Sequence, residues 1–219
     1  MNHNKSYNYE LHEIPGIGPK KIEILKKKYK VKTINDLYKI DIFNTLSIES
    51  KSFLIYKPER TVSYKFIEKV DEFFHNNNIK GIIAGSYRRK KSESKDIDFI
   101  SYIPFEKIKR ILDANNIEIY VHSQGPDKVG AIIDIFKKRV RIDIWFPKKE
   151  ERLYYLFYAT GNAVFNIIMR DAAKKKGYLL NRHGLFEVKN NKRVKGIKTE
   201  KDIMAFLGKK YLKPTERNY

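Results

Sequence analysis

The chain has 219 residues, enough for a sizeable core or for two or three small subdomains. Its net charge of +20 favours a polyanionic partner, most simply nucleic acid, although a lysine-coated surface without a dedicated ligand gives the same sum. The lack of cysteine excludes disulfides and thiolate metal sites, the histidines form no pair at zinc-ligand spacing, and no segment nears the roughly 20 apolar residues of a membrane span.

The opening run, Met1 to Asn8, has no apolar stretch of the signal-peptide kind, so an intracellular protein away from membranes is expected, its compartment unknown. Residues 11 to 57 read as short helices. Ile14-Pro15-Gly16-Ile17-Gly18-Pro19 is a tight turn, and Lys20 to Lys30 has helical spacing through Ile22, Ile24, Leu25 and Tyr29. This has the form of a helix-hairpin-helix. Gly16 and Gly18 let the turn lie flat on a DNA backbone, while the amides at the helix start, with Lys20 and Lys21, face phosphate. An ordinary Pro/Gly turn between helices is the alternative. Thr33 or Asn35 is placed to cap the next helix.

From Glu59 to Asn76, Val62, Phe66, Val70 and Phe73/Phe74 recur at helical intervals. Strands are expected at Gly81 to Ala84 and Asp96 to Tyr102, and a helix over Phe105 to Asn115. Two more strands follow near Ala131 to Phe136 and Arg139 to Phe146, joined by Lys137-Lys138. The chain turns helical after Pro147, then loop-like and basic from Asn181 to Lys198, with a hairpin tip at Lys189 to Arg193. Thr199-Glu200-Lys201-Asp202 has the form of a capped helix start.

The chemistry concentrates in Gly85 to Ile100. Side chains alternate along a strand, so Asp96 and Asp98 share a face while Ile97 and Phe99 point the other way. Two adjacent carboxylates repel unless a cation sits between them, and hard oxygen ligands suit magnesium or manganese. Gly85 and Ser86 offer close backbone approach and a hydroxyl, and Arg89 offers a fork that fits phosphate oxygens. In Val140 to Phe146, Ile142, Ile144 and Phe146 point to the core, whereas Arg141, Asp143 and Trp145 point away. If this strand lies beside the first, Asp143 becomes a third carboxylate, and three carboxylates can hold two metals for in-line attack on phosphorus. Alternating polar residues on a half-exposed strand are the plain alternative for a lone Asp-x-Asp. Phe165, Ile168, Met169 and Ala172 form the core stripe of a helix over Ala163 to Lys175, leaving Asn166 and Arg170 on another face that reads a base edge, braces a template strand or is merely solvated. Trp145 reads as packing rather than as a stacking platform.

Together these segments resemble the family X DNA polymerases, of the DNA polymerase beta type. Gly-Ser-x-Arg-Arg at Gly85 to Arg89, Asp-x-Asp at Asp96 to Asp98, Arg-x-Asp at Arg141 to Asp143, and Tyr-x-Thr-Gly at Tyr158 to Gly161 occur in family order. The hairpin, the segment Lys32 to Leu37 and the closing run Leu207 to Arg217 are similar as well, so the resemblance spans nearly the whole chain. It implies an α+β fold: a nucleotidyltransferase palm with a mixed β-sheet and helices, flanked by helix-hairpin-helix fingers and an α/β thumb. The expected division is 1–57 fingers, 58–147 palm and 148–219 thumb, a minimal form without an N-terminal lyase domain.

The resemblance further implies that Asp96, Asp98 and Asp143 bind two magnesium ions, with manganese as a substitute, and that Asp143 helps deprotonate the primer 3′-hydroxyl. Ser86, Arg89 and Ser94 would hold the triphosphate alongside Gly85, with Tyr158 and Gly161 near the sugar. Asn166 would meet the minor-groove edge of the incoming base and Arg170 the template strand. Carbonyls around His12, Ile14 and Ile17 would hold a monovalent cation, sodium or potassium, against DNA, and Arg141 would steady Asp143. The expected activity is templated addition of dNTPs to gapped or primer-template DNA by a monomer, filling short gaps in base excision repair. The alternatives are a template-independent terminal transferase or RNA tailing enzyme, and a non-catalytic DNA-binding module. Ala159, Asn162 and Ala163 depart from the family pattern, which leaves fidelity and sugar selectivity open.

Overall fold

The buried apolar residues form three large clusters in succession along the chain and a fourth, smaller one that joins Ala84, Ile100 and Trp145 to Tyr155. The computed structural model describes residues 10–219, so the reading of Met1 to Asn8 lies outside the described residues. The first cluster joins Ile14, Ile17, Leu25, Leu37, Ile42 and Phe53. It is built on a 3-10 turn at Leu11–Glu13, helix α1 (Pro19–Tyr29), a 3-10 turn at Ile34–Tyr38, and the short helices α2 (Ile40–Phe43) and α3 (Ile48–Tyr56). Pro19 at the first position of α1 and the left-handed Lys30 just past its end bound that helix, one residue earlier at each end than the Lys20 to Lys30 spacing suggests.

The second cluster is the sheet core. After β1 (Val62–Ser63) comes α4 (Tyr64–Asn76), whose Phe66, Ile67, Val70 and Phe74 are buried. Each such burial contributes roughly 1.5–3 kcal/mol. The helix begins at Tyr64 rather than Glu59. Val62 and Ser63 pair with Ser94 and Glu93 instead, and the Ser63 hydroxyl accepts the Phe66 amide as N-cap. The chain continues through β2 (Gly81–Ile83), α5 (Gly85–Arg88), β3 (Glu93–Ser94), β4 (Ile97–Ser101), α6 (Phe105–Ala114), β5 (Glu118–Gln124), β6 (Lys128–Ile135) and β7 (Lys138–Trp145). The five-stranded sheet has the order β2-β4-β7-β6-β5. Only β4 and β7 run parallel, so the sheet is mixed. A parallel pair needs a crossover, which α6, β5 and β6 supply. Strand β5 escapes a search for alternation because its register shifts between Val121 and Ser123.

The third cluster gathers Tyr154, Phe157, Phe165, Met169, Leu185 and Ile203. It is formed by α7 (Arg152–Thr160), α8 (Ala163–Lys175), β8 (Tyr178–Asn181), β9 (Gly184–Glu187) and α9 (Glu200–Phe206). The loop expected from Asn181 is in part the hairpin β8–β9, which pairs the buried Leu180 and Leu185. Its turn, Arg182-His183, carries none of the usual hairpin residues, so only the apolar pair could announce it. A bridge between Phe186 and Arg193 closes the Lys189–Arg193 tip. Thr199 caps α9, accepting the Asp202 amide while Asp202 accepts that of Thr199. The fold class is therefore α+β.

Candidate active site

Strand register brings the carboxylates together. On the core face, Ile97, Phe99, Ile142 and Ile144 are each 1% exposed. Their burial forces the alternate residues to the other face, where parallel pairing sets Asp98 directly opposite Asp143. Asp96 lies two residues before Asp98, just ahead of β4. Burial, then the charges of Asp96 and Asp143, push the Asp98 carboxyl up to about 7. Burial also raises Asp96; the Arg141 charge opposes it and the Asp143 charge adds to it. Among the described residues no three acidic or histidine side chains converge tightly enough to chelate an ion. Lys128 Nζ instead sits 2.7 Å from Asp143 Oδ2.

Gly85 makes room for Asp98. Its φ is +58°, and a Cβ there would lie 2.4 Å from Asp98 Oδ2. The Gly-Ser segment, expected as a turn, is the first half of the one-turn helix α5. Gly85→Ala is expected to cost at least about 1 kcal/mol from the left-handed backbone alone. It should also displace Asp98 and lower nucleotide incorporation at least about tenfold, as shifts near 1 Å do. Thermal melting and single-nucleotide incorporation check this, and a variant with native activity would show that the carboxylate tolerates displacement.

The neighbouring polar groups are organised around α5. Ser86 and Ser94 hydroxyls are 2.6 Å apart. Arg89 donates from Nη1 to the Thr160 carbonyl at 2.9 Å and from Nε to Asn218 Oδ1 at 3.0 Å. Desolvation lowers its pKa against the pull of Asp98 and Asp96. Arg88 turns inward to Glu200 and the Thr160 hydroxyl.

The residues expected near the sugar are also joined. Asn166 Nδ2 donates to the carbonyls of Tyr158 at 2.9 Å and Gly161 at 3.4 Å. A Cβ on Gly161 would lie 2.4 Å from the Phe165 ring and 2.6 Å from Asn166 Oδ1, so glycine is required for that close approach. Arg170, exposed on α8, donates to the Asn166 carbonyl at 3.2 Å. Tyr158 meets Trp145 edge-on at 6.4 Å, and Trp145 Nε1 points to Asp98 Oδ1 at 3.5 Å. Trp145 thus packs as expected, but with two aromatic neighbours, since Tyr155 lies 6.0 Å away as well.

The hairpin borders a cleft of about 400 Å³ that also touches Phe53, Lys95 and Arg141. Gly16 has φ +78°, and a Cβ there would lie 2.8 Å from Ser47 Oγ, while Ser50 Oγ donates to the Pro15 carbonyl at 2.7 Å. The Ile14 carbonyl accepts the Ile17 amide at 3.0 Å. His12 is exposed beside Glu10, 3.2 Å away. Gly18 caps α1 with open space around it, Lys20 is exposed, and Lys21 Nζ donates to the Thr45 carbonyl at 3.2 Å. Arg141 faces other partners in this structure. It donates to the Lys95 carbonyl at 2.9 Å and lies over the Phe53 ring, and its charge acts on Asp96; the cation on Asp143 is Lys128.

Two features escaped the sequence reading. Lys128 falls outside a strand started at Ala131; extending the alternation back through Gly130 puts it on the Asp143 face. The other is Asp127, which accepts Tyr155 Oη at 2.5 Å and Arg182 Nε at 3.0 Å. Burial works to raise its pKa, but these hydrogen bonds prevail and hold it low.

The geometry agrees with comparison to known proteins. Residues 155–218 match the family described as DNA polymerase beta thumb. Repair DNA polymerase X of African swine fever virus (isolate Tick/Malawi/Lil 20-1/1983) is 34% identical over 143 residues, covering 63% of this chain and 82% of the relative. The DNA polymerase/3′-5′ exonuclease PolX of Bacillus subtilis is 27% identical over 227 residues, covering 94% of this chain and 39% of its own. In fold, the chain is similar to Leishmania infantum polymerase beta in a ternary P/T complex, with TM-score 0.80, 23% identity, and coverage of 96% of this chain and 97% of that one. Order of motifs, strand register and a relative matched over most of its length lead to one conclusion: the chain belongs to the X family of DNA polymerases.

Proposed function

We propose that this chain is a DNA-templated DNA polymerase that adds dNTPs to a primer 3′-hydroxyl at Asp96, Asp98 and Asp143 and fills short gaps in repair. The observation that carries the reading is the parallel register setting Asp98 beside Asp143, with Gly85 making space for the carboxylate. The three large apolar clusters support fingers at 1–57, a palm at 58–147 and a thumb at 148–219, with the small cluster of Ala84, Ile100, Trp145 and Tyr155 joining the last two. The protein works as a monomer in this reading.

The donor set fits divalent magnesium, or manganese in its place, because all three ligands are hard oxygens whose mutual repulsion a dication relieves. Two such ions, when bound, lower the pKa of the attacking hydroxyl and neutralise charge on the transferring phosphorus. The chain's own residues do the rest. Asp143 accepts the hydroxyl proton. Ser86, Ser94, Arg89 and the Gly85 backbone orient the triphosphate, which is where most of the positioning gain arises. Tyr158 and Gly161 flank the sugar, Asn166 meets the base edge and Arg170 the template. Gly16, Gly18, Lys20, Lys21 and Arg141 hold the DNA backbone. The His12, Ile14 and Ile17 carbonyls take a sodium or potassium ion; the Ile14 oxygen keeps a second lone pair for it beyond the Ile17 amide.

Primer extension on gapped duplex, with magnesium and each dNTP singly, tests the function. Insertion of the complementary nucleotide alone is expected; extension indifferent to the template would make this a terminal transferase. DNA affinity should fall at least about tenfold between roughly 50 and 200 mM salt, because lysines and arginines release counterions. A flat salt response measured by anisotropy would contradict the basic DNA-binding surface.

A further inference from the structure

The sheet itself places a lysine on the carboxylate cluster. Val129, Ala131 and Ile133 face the core, so Lys128 and Gly130 face the carboxylates. Gly130 lies directly across from Asp143 and Lys128 across from Trp145. A Cβ at Gly130 would lie 3.4 Å from Asp143 Oδ1. The glycine is required mainly by the neighbouring strand, since that Cβ would lie 2.5 Å from Ser123 Oγ and 2.7 Å from the His122 ring, and Lys128 Nζ lies 2.7 Å from Asp143 Oδ2. The same Nζ lies 4.6 Å from the centroid of the Trp145 indole. On that ring, Arg182 lies 5.6 Å from the centroid and is tied to Asp127. One ammonium thus contacts an acidic and an aromatic partner at once.

We propose that Lys128 is an exchangeable counter-cation of the carboxylate cluster: it neutralises Asp143 until a divalent ion binds, then keeps only its contact with the Trp145 indole, and so sets the metal affinity of the site. This rests on the reading of Asp96, Asp98 and Asp143 as divalent-cation ligands. A dication that takes the Asp143 oxygen also repels the ammonium, whereas contact with the indole face survives its departure. The pair is about one-third exposed on both sides, 34% and 31%, so it is weak enough to exchange. A lysine suits the task because its flexible stem carries a compact charge without the fork that locks arginine to carboxylate.

The test uses manganese alone, without DNA or nucleotide, its free concentration followed by paramagnetic resonance. Lys128→Met should bind manganese about tenfold more tightly than the wild type, since a competing charge is gone. Trp145 is the only tryptophan, so its emission reports the exchange directly. Magnesium titration should change wild-type emission as the lysine leaves Asp143 and its position over the ring shifts, with a smaller change in Lys128→Met. Circular dichroism checks that the variant is folded; if it is not, Lys128→Gln carries the same expectation. Equal manganese affinities in wild type and variant overturn the exchange. Manganese binding to neither overturns it together with the metal-site reading beneath.

Discussion

Replacing Asp143 with alanine is expected to lower nucleotide addition by about three orders of magnitude or more, the scale on which a charged group at the reacting centre acts. Affinity for gapped DNA should stay within about twofold, because that affinity comes from phosphate contacts elsewhere. The fold should persist. Asp143 is partly exposed on the open face of β7, while the core-facing Ile142 and Ile144 that hold the strand are untouched. The change also removes one of the charges that raise Asp98, so it relieves repulsion within the sheet. Single-turnover incorporation beside anisotropy on the same gapped duplex separates the two effects. Parallel loss of incorporation and DNA binding would remove Asp143 from the catalytic role.

The largest stability effect is expected at Glu200. This carboxylate is 8% exposed and receives both Arg88, at 2.9 and 3.0 Å, and Arg217, at 2.8 Å. Arg217 is fully buried, lies over the Phe157 and Phe165 rings, and donates from Nε and Nη2 to the Leu212 carbonyl. The cluster joins α5 of the sheet domain to α9 and the closing segment. Glu200→Ala strands a buried guanidinium, which costs about 3–5 kcal/mol. For a chain of this size that corresponds to a fall in Tm of roughly 10 °C. Glu200→Met combined with Arg217→Met should recover part of the loss, since the fully buried Arg217 no longer needs desolvating, while the part-exposed Arg88 keeps the Thr160 hydroxyl but loses its carboxylate. Calorimetry decides: a single variant melting with the wild type would mean that the pair contributes little.

Glu200 also predicts an acid response. Burial works to raise its carboxyl pKa, but the hydrogen bonds from Arg88 and Arg217 and then their charges outweigh burial and hold it below the usual glutamate range. A depressed folded-state value means that the stabilisation is complete above the unfolded-state value and fades as pH falls through the folded one. The wild type should therefore lose stability in acid more steeply than the double variant.

Features carried by neighbouring residues were legible in the chain. The alternation of Asp96-Ile97-Asp98 and of Arg141-Ile142-Asp143 follows from a two-residue period, and burial of the isoleucines made the outward face certain once strands formed. The stripe on α8 and the Thr199–Asp202 cap are likewise local, requiring no knowledge of what packs against them. The start of α4 was misplaced because pairing of Val62-Ser63 with a distant strand outweighed helical periodicity. The hairpin β8–β9 was overlooked because its turn has no favoured residues.

By itself, then, the sequence determined which faces are apolar, which residue types meet phosphate chemistry, and the order of the motifs, since each depends on backbone geometry repeated every two to four residues. Only the tertiary structure decided that Lys128, not Arg141, neutralises Asp143, and that Arg88 pairs with a glutamate 112 residues away. Such partners depend on which strands and helices pack together and in what register, and that is set by burial summed over the whole core rather than by any local pattern.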